Sequence, residues 1–418
     1  MRISAIFFLI CLQSLTFAQV SIKQFVQQNF HEIRSVNLSD TSYDDLEAIG
    51  KAIGNRRVVM LGEQDHGDAP TFLAKARIIR YLHEKMGFNV LAFESDFFAL
   101  TEGQREIGTD TSGYRKFMLG GIFPIWTFCD ACTGLFYDYL PKQFLSSSPI
   151  TITGFDNQLY GSFSRRMIVP FLDSAITANQ FPHPRFALLK QNVLDWTDSI
   201  RLNYGRQFGK KAQFDSADFY IAELLSVYNQ QDSADYLRVL LQSIRAFSKQ
   251  STLYYRNTAA GGEVRDVQMA ANFDWLVNIK YKNEKIIVWA ANGHVIKNVN
   301  GKSETQGVTM GTVFCRKPAN DSQTYIIGFT SATGTAGRIT MKDSQYEVRA
   351  PKKNAFETWF GDKAYTFIDF LPYNSSTSNP ESFKLKGFNH LWDGDMQWTR
   401  NFDGVFYVRE MWACKALW

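Results

Sequence analysis

The sequence carries none of the short motifs that mark a familiar catalytic apparatus. It has no GxSxG nucleophile elbow, no HExxH zinc helix, and no GxGxxG or Walker loop on a strand-to-helix turn. These absences argue against a serine-based α/β-hydrolase, a zincin and the common nucleotide-binding folds, so any hydrolysis must activate water directly. Charge of one sign is missing too: 45 Lys and Arg against 41 Asp and Glu, with no basic block, give no footprint for a nucleic acid. No apolar run reaches the roughly 18 residues that a bilayer span needs. Cysteine is scarce. Cys129, Cys132, Cys315 and Cys414 can pair in three ways, and a lone CxxC with no second pair and no neighbouring histidine is a poor zinc site. A structural role is expected for Cys129 and Cys132.

What is present begins with a leader, MRISAIFFLICLQSLTFAQV: one Arg, an apolar run from Ile3 to Leu12, then Thr16 and Ala18 at the small-residue positions before Gln19. This is the pattern of a secretory signal peptide, too short for an anchor. Residues 1–18 are expected to be removed. Residues 19–418 are expected to act outside the cytoplasm, in the periplasm or beyond the cell, without stable membrane insertion.

The remaining chain is organised around residues 58–96, VVMLGEQDHGDAPTFLAKARIIRYLHEKMGFNVLAFESD. Val58–Leu61 and Asn89–Phe93 are apolar runs that stop at Gly62-Glu63 and at Glu94, so each reads as a buried parallel strand ending in a carboxylate. Between them Asp68 suits an N-cap and Pro70 a first turn. Phe72, Leu73, Ala76, Ile79 and Leu82 recur at helical spacing, and Gly87 follows the end. The stretch predicts a βαβ unit, whose ligands sit beyond the carboxyl ends of the strands, where Glu63, His66 and Glu94 fall.

Residues 20–56 read as helical, Asp96–Glu106 as a helix, and Asp130–Leu140 as a helix stopped by Pro141. Ile150–Thr153 is a third strand that runs on to Asp156. Residues 163–281 read as helices broken near Pro182–Pro184, Gly205–Lys210 and Gly261-Gly262, forming an insertion over about 160–283. Lys285–Asn292 is a fourth buried strand, followed at once by Gly293-His294. Val308–Phe314, Thr324–Phe329, Arg338–Met341, Ala364–Phe370 and Val405–Arg409 read as strands, and Pro372–Glu381 as a loop. The fold class is α/β: a mostly parallel central sheet flanked by helices, with a large helical insertion and a strand-rich C-terminal part.

Four expected strands thus end in Glu63, Glu94, Asp156 and His294. Singly each is commonly a cap or a turn residue; together, at the same end of one sheet, they mark a site. His66, three residues after Glu63, has the arrangement of a general base, one imidazole nitrogen held by the carboxylate and the other facing water. Lys75 falls on an apolar helix side, a costly place for an ammonium unless Glu63 or Glu94 pairs with it. Arg265 is a second cation for the site, or else a surface partner of Asp266 or Glu263. Most of the nine tryptophans are expected in the core, with Trp126 kept as a pocket wall. His31, His83, His183 and His390 lack a strand-end context and are read as structural.

GEQDHG, a basic residue nine positions after the histidine, GF, and an FESD that places Glu94 31 residues after Glu63 resemble the core motif of the erythromycin esterase family. Trp126, Gly154-Phe155-Asp156, Arg265–Met269, Trp289–His294 and Met310-Gly311 are similar to its later landmarks, in the same order. Two positions depart from the pattern. Lys75 stands where the family usually has Arg, so that Arg77 or Arg265 would have to supply a planar cation. Of two histidines usual at the end of the fourth strand only His294 is present, the other being Ala291.

The resemblance implies an exported hydrolase that cleaves a small ester or lactone with His66 as base. Glu63 would orient His66, Glu94 would place water or a cation, and His294 with Lys75 or Arg265 would stabilise the oxyanion. Trp126, Asp156 and Asn292 would line the substrate site, with no cofactor. The rival readings are a divalent-metal hydrolase built on the same strand ends, and a weakened relative that binds a ligand or matures an envelope polysaccharide.

Overall fold

The computed structural model describes residues 20–179, 184–202, 211–228, 235–254, 258–299, 308–341 and 344–417. The expected leader, His183, and the expected breaks at 182–183 and 205–210 lie outside the described residues. One nine-stranded sheet forms the centre. Its seven principal strands are β1 (Val58–Leu61), β2 (Phe88–Asp96), β3 (Thr151–Asp156), β4 (Lys285–Trp289), β5 (Thr324–Ala336), β6 (Tyr365–Asp369) and β7 (Gly404–Met411). They lie in the order β6-β7-β5-β1-β4-β2-β3, parallel from β7 to β3. β6 is antiparallel to β7 and carries the short edge strand His31–Glu32; Tyr346–Glu347 pairs with the far end of β5.

Alternate residues of the strands enter two separate cores, which is why the central runs are apolar without a break. Val59, Leu61, Leu91, Phe93, Ile287 and Trp289 face the helix α1 (Ala69–Met86) through Phe72, Ile78, Ile79 and Leu82. Val58, Met60, Val90, Ala92, Ile286 and Val288 face the other layer. Helix and strands are as expected in the βαβ stretch, with Gly87 in the left-handed conformation (φ 71°) that ends α1. The pairing differs: β1 and β2 are not neighbours, because β4 lies between them. Asp68 occupies the N-cap position without capping; its carboxylate is engaged elsewhere.

Among the described residues five α-helices lie between β3 and β4: α2 (Ser162–Ala178), α3 (Phe186–Leu202), α4 (Lys211–Tyr228), α5 (Tyr236–Tyr254) and α6 (Thr258–Trp275). The first four share a core of their own around Ile168, Leu172, Val193, Ile221, Leu240 and Ile244. α6 docks on the sheet through Met269, Ala270 and Phe273, which carries Arg265 and Asp266 to the strand ends. Gly261 and Gly262 do not break it, since tertiary packing outweighs a propensity cost of about 1 kcal/mol each.

Several expected elements differ. Val308–Phe314 is the helix Met310–Cys315, capped by Thr309; a short apolar run does not distinguish strand from buried helix. Arg338–Met341 is a turn, and Pro372 opens the helix Leu371–Ser376. Within 20–56 only Ile22–Asn29 and the region Asp44–Ile53 are helical. Pro141 stops nothing: the π-helical turns of Gly134–Tyr139 run straight on through it into Leu140–Phe144. Cys129 is bonded to Cys414, leaving Cys132 and Cys315 as free thiols. This bond fastens the C-terminal tail beside two segments that build the site. Cys414 N donates to Gly67 O at 2.8 Å, and Asp130 N to Lys415 O at 3.0 Å.

Candidate active site

β1 stops at Gly62, where a Cβ would run into the Asn292 carboxamide, so only glycine lets the chain turn there. The turn delivers Glu63, fully buried, as the acceptor of three donors. His66 Nδ1 lies 2.7 Å from Oε1, Trp126 Nε1 donates to the same oxygen at 2.9 Å, and Lys75 Nζ donates to Oε2 at 2.6 Å. A carboxylate can only accept, so it fixes the imidazole proton on Nδ1 and leaves Nε2 as the basic nitrogen. His66 Nε2 has no hydrogen-bond partner among the described residues. Lys75 Nζ reaches Ala290 O at 3.3 Å and stands 4.3 Å over the Trp289 ring. Burial lowers the Lys75 ammonium from its ordinary value, with Glu63 opposing.

A second cluster gathers at the neighbouring strand ends. Glu94 Oε1 accepts from Arg265 Nη2 at 2.7 Å and is 3.1 Å from His294 Nε2, while Oε2 accepts from Ala291 N at 3.0 Å. Arg265 Nη2 also donates to Asp156 Oδ2 at 2.6 Å. His294 Nδ1 is 2.8 Å from Asp266 Oδ1, which in turn accepts from Met310 N. Burial opposes charge on His294, yet Asp266 and Glu94 outweigh it and push the imidazole up to about 10. Burial likewise opposes charge on Glu94, but His294 and Arg265 hold it well below the carboxylate range, with His66 adding to the effect. The two clusters are close enough that Glu94 supports the charge on Lys75 in the other cluster.

The His294 shift has a consequence for stability. A folded-state value near 10 against 6.5 stabilises the fold fully below pH 6.5, and the contribution declines until it is lost as pH passes about 10. Urea midpoints of wild type and His294→Gln are expected to differ most near pH 6 and to converge above pH 10; a constant gap would show that His294 is not the titrating group.

The structure thus brings Glu63, His66 and Lys75 together, and Glu94, Asp156, Arg265 and His294 together. Arg265 is no surface partner of Glu263, and Arg77 takes no part: it is buried against Asp45. Trp126 is not a pocket wall, being fully enclosed, and acts as a donor to Glu63. Asn292 is no substrate ligand either. Its carboxamide is fully buried and closes the backbone of Phe329 and Gly387 at 2.7–3.1 Å. Asp156 is fully buried and engages Arg265 rather than offering itself to a ligand. Asp266 is the residue that sequence reasoning missed. Its position next to Arg265 on α6 was the available signal, because a helix crossing the strand ends can present adjacent side chains to one site.

Among the described residues the one group of three His, Cys, Asp or Glu with ligand atoms within 4.8 Å of one another is Cys129, Asp130 and Cys414. Two of these are joined in the disulfide. At the strand ends, a divalent cation would have to displace Lys75, Trp126 or His66 from Glu63, or Arg265 and His294 from Glu94.

The sequence profile of the family described as erythromycin esterase matches residues 83–411. The chain belongs to the erythromycin esterase family. Its α/β fold, a large central sheet with many helices and C-terminal strands, is that of an erythromycin esterase. A mutant of the erythromycin esterase EreC in its open conformation superposes with a TM-score of 0.67 at 18% identity, covering 93% of this chain and 99% of that one. A succinoglycan biosynthesis protein superposes with a TM-score of 0.71 at 16% identity, covering 95% and 98%. YbfO of Bacillus subtilis (strain 168), provisionally named a hydrolase, is 23% identical over 415 residues, 90% of this chain and 88% of its own. Erythromycin esterase family membership and the hydrolase-named relative support hydrolase activity.

Proposed function

We propose that the protein is an exported hydrolase that cleaves an ester or lactone by attack of a water activated by His66, without a metal. The observation that carries this reading is the Glu63–His66 contact at 2.7 Å, which leaves the imidazole Nε2 free. In the proposed reaction Nε2 takes a proton as the water oxygen bonds to the acyl carbon. The carbonyl electrons collect as an oxyanion, then re-form the double bond and expel the alkoxide, which recovers the proton from Nε2. The products are a carboxylic acid and an alcohol. A positioned base typically contributes about 10² to 10⁴ in rate.

Arg265 suits the oxyanion. Its Nη1 lies 3.1 Å from His294 Nε2. With His294 charged, that ring nitrogen gives its proton to Glu94 and accepts nothing, so the Nη1 protons remain for the substrate oxygen. The Cys129–Cys414 disulfide supports an oxidising compartment, as the leader expects. Turnover of a p-nitrophenyl ester and lactone panel, with and without a chelator, tests the reading. Hydrolysis that survives chelation and is lost in His66→Ala is expected; chelator-sensitive hydrolysis, or none on any substrate, would overturn it.

Macrolides are proposed to be poor substrates. Ala291 supplies only its N–H to Glu94 where the family pattern places a second imidazole, and one missing oxyanion donor costs about 2.7 to 4 kcal/mol. Ala291→His, alone or with Lys75→Arg, is expected to raise erythromycin ring opening measured by mass spectrometry. Efficient wild-type turnover would remove the argument.

A further inference from the structure

The turn from Gly62 to Asp68 sends His66 toward the two clusters and sends Gln64, Asp65 and Asp68 into the C-terminal part of the chain. Gln64 Nε2 donates to Lys386 O at 2.7 Å. Asp65 accepts from the Tyr346 hydroxyl at 2.8 Å and pairs with Arg338. Asp68 is the most enclosed. Its Oδ2 accepts from Asp65 N at 2.9 Å, and its Oδ1 lies 2.8 Å from His390 Nε2. His390 Nδ1 in turn lies 2.9 Å from Ser331 Oγ on β5. Asp68, His390 and Ser331 are all fully buried.

A serine, a histidine and an aspartate in one hydrogen-bonded line have the composition of a nucleophilic triad. Complete burial denies Ser331 any acyl group to attack, so the line serves another purpose. Backbone bonds anchor the turn at Gly62, Glu63 and Gly67, and between these anchors the side-chain ties of Gln64, Asp65 and Asp68 hold it. His66 N donates to Asp65 Oδ1 at 2.8 Å, so the path from His390 runs through Asp68 and Asp65 to the backbone of His66 itself. The Glu63–His66 contact spans three residues of this same turn and keeps its geometry only while the turn keeps its shape.

We infer that His390 is a positioning residue for His66: by holding Asp68 it fixes the turn on which the imidazole Nδ1 meets Glu63. The kinetic half of this inference rests on the hydrolase reading above; the structural half does not. A displacement of about 1 Å in a catalytic group costs on the order of 100-fold in rate.

The test compares His390→Leu, His390→Gln, Ser331→Ala and His83→Gln in the full mature chain. His83 is a buried control at the far end of α1, bonded to Tyr139 and Ser148. Two readouts are taken: kcat and KM on a p-nitrophenyl ester, and the tautomer of His66 by nitrogen-15 NMR, assigned with His66→Gln. His390→Leu is expected to lower kcat about 10- to 100-fold with little change in KM, and to move His66 from the Nδ1–H tautomer toward the mixture of a free imidazole. His390→Gln, whose amide can still donate to Asp68, is expected to recover most of both. His83→Gln is expected to lose stability while leaving both unchanged. A wild-type tautomer and kcat in folded His390→Leu overturns the inference. Should that variant not fold, Ser331→Ala replaces it, with a smaller shift in the same direction expected and no shift overturning the inference. If wild type turns over no ester, the hydrolase reading falls alone, and the His66 tautomer still decides the role of His390.

Discussion

His66→Ala is expected to lower kcat/KM on any hydrolysed substrate by about 10² to 10⁴, with circular dichroism and the urea midpoint nearly unchanged. The two halves of that expectation come from different parts of the geometry. Activity depends on the imidazole because, among the described residues of the two clusters, its Nε2 has no partner while Glu63, Glu94 and Asp156 each accept from donors. Stability does not, because the ring is partly exposed at the rim, touching Trp126 edge-on at 5.5 Å, and its removal still leaves Glu63 with Lys75 and Trp126 as donors. Near-wild-type kcat/KM in the folded variant would exclude the general-base role and with it the proposed reaction. A loss of both activity and fold would instead place His66 among the supports of the turn.

The sequence showed the central parallel strands and α1 clearly because burial on both faces leaves an uninterrupted apolar run, and Pro70 and Gly87 mark the helix ends. It could not show that β4 lies between β1 and β2, since strand order depends on crossovers rather than on any one segment. The site was legible where a polar residue ended an apolar strand, as at Glu63, Glu94, Asp156 and His294. It was misread where a polar or amphipathic group had two possible directions. Trp126 and Asn292 look alike as pocket residues or as internal donors, and only packing showed that each turns inward. Asp68 and His390, 322 residues apart, carry no shared signal at all. Lys75 is the opposite case: a cation on an apolar helix face has to find an anion, and its partner is one of the two carboxylates that physical reasoning allowed.

That pairing changes what Glu63→Gln should do. From the sequence the substitution keeps shape, loses charge, and should cost less than His66→Ala. In the structure Glu63 is the anion of a fully buried ion pair, and both of its oxygens accept from donors. A glutamine must turn its amide nitrogen either toward the Lys75 ammonium or toward His66 and Trp126, so at least one donor meets another donor. Removing one member of a buried pair costs about 3 to 5 kcal/mol, because the remaining charge is stranded. Glu63→Gln is therefore expected to lower the stability to urea by about that amount. The catalytic loss should match that of His66→Ala, since an amide facing Nδ1 reverses the tautomer; the corresponding change in a catalytic triad costs about 10⁴. Adding Lys75→Met removes the stranded charge, and the double variant is expected to regain most of the stability but none of the activity, a coupling that separates the two roles of Glu63. Unfolding curves and kcat for wild type, both single variants and the double variant decide it. A Glu63→Gln protein as stable as wild type would mean that the Lys75 ammonium is not held by Glu63.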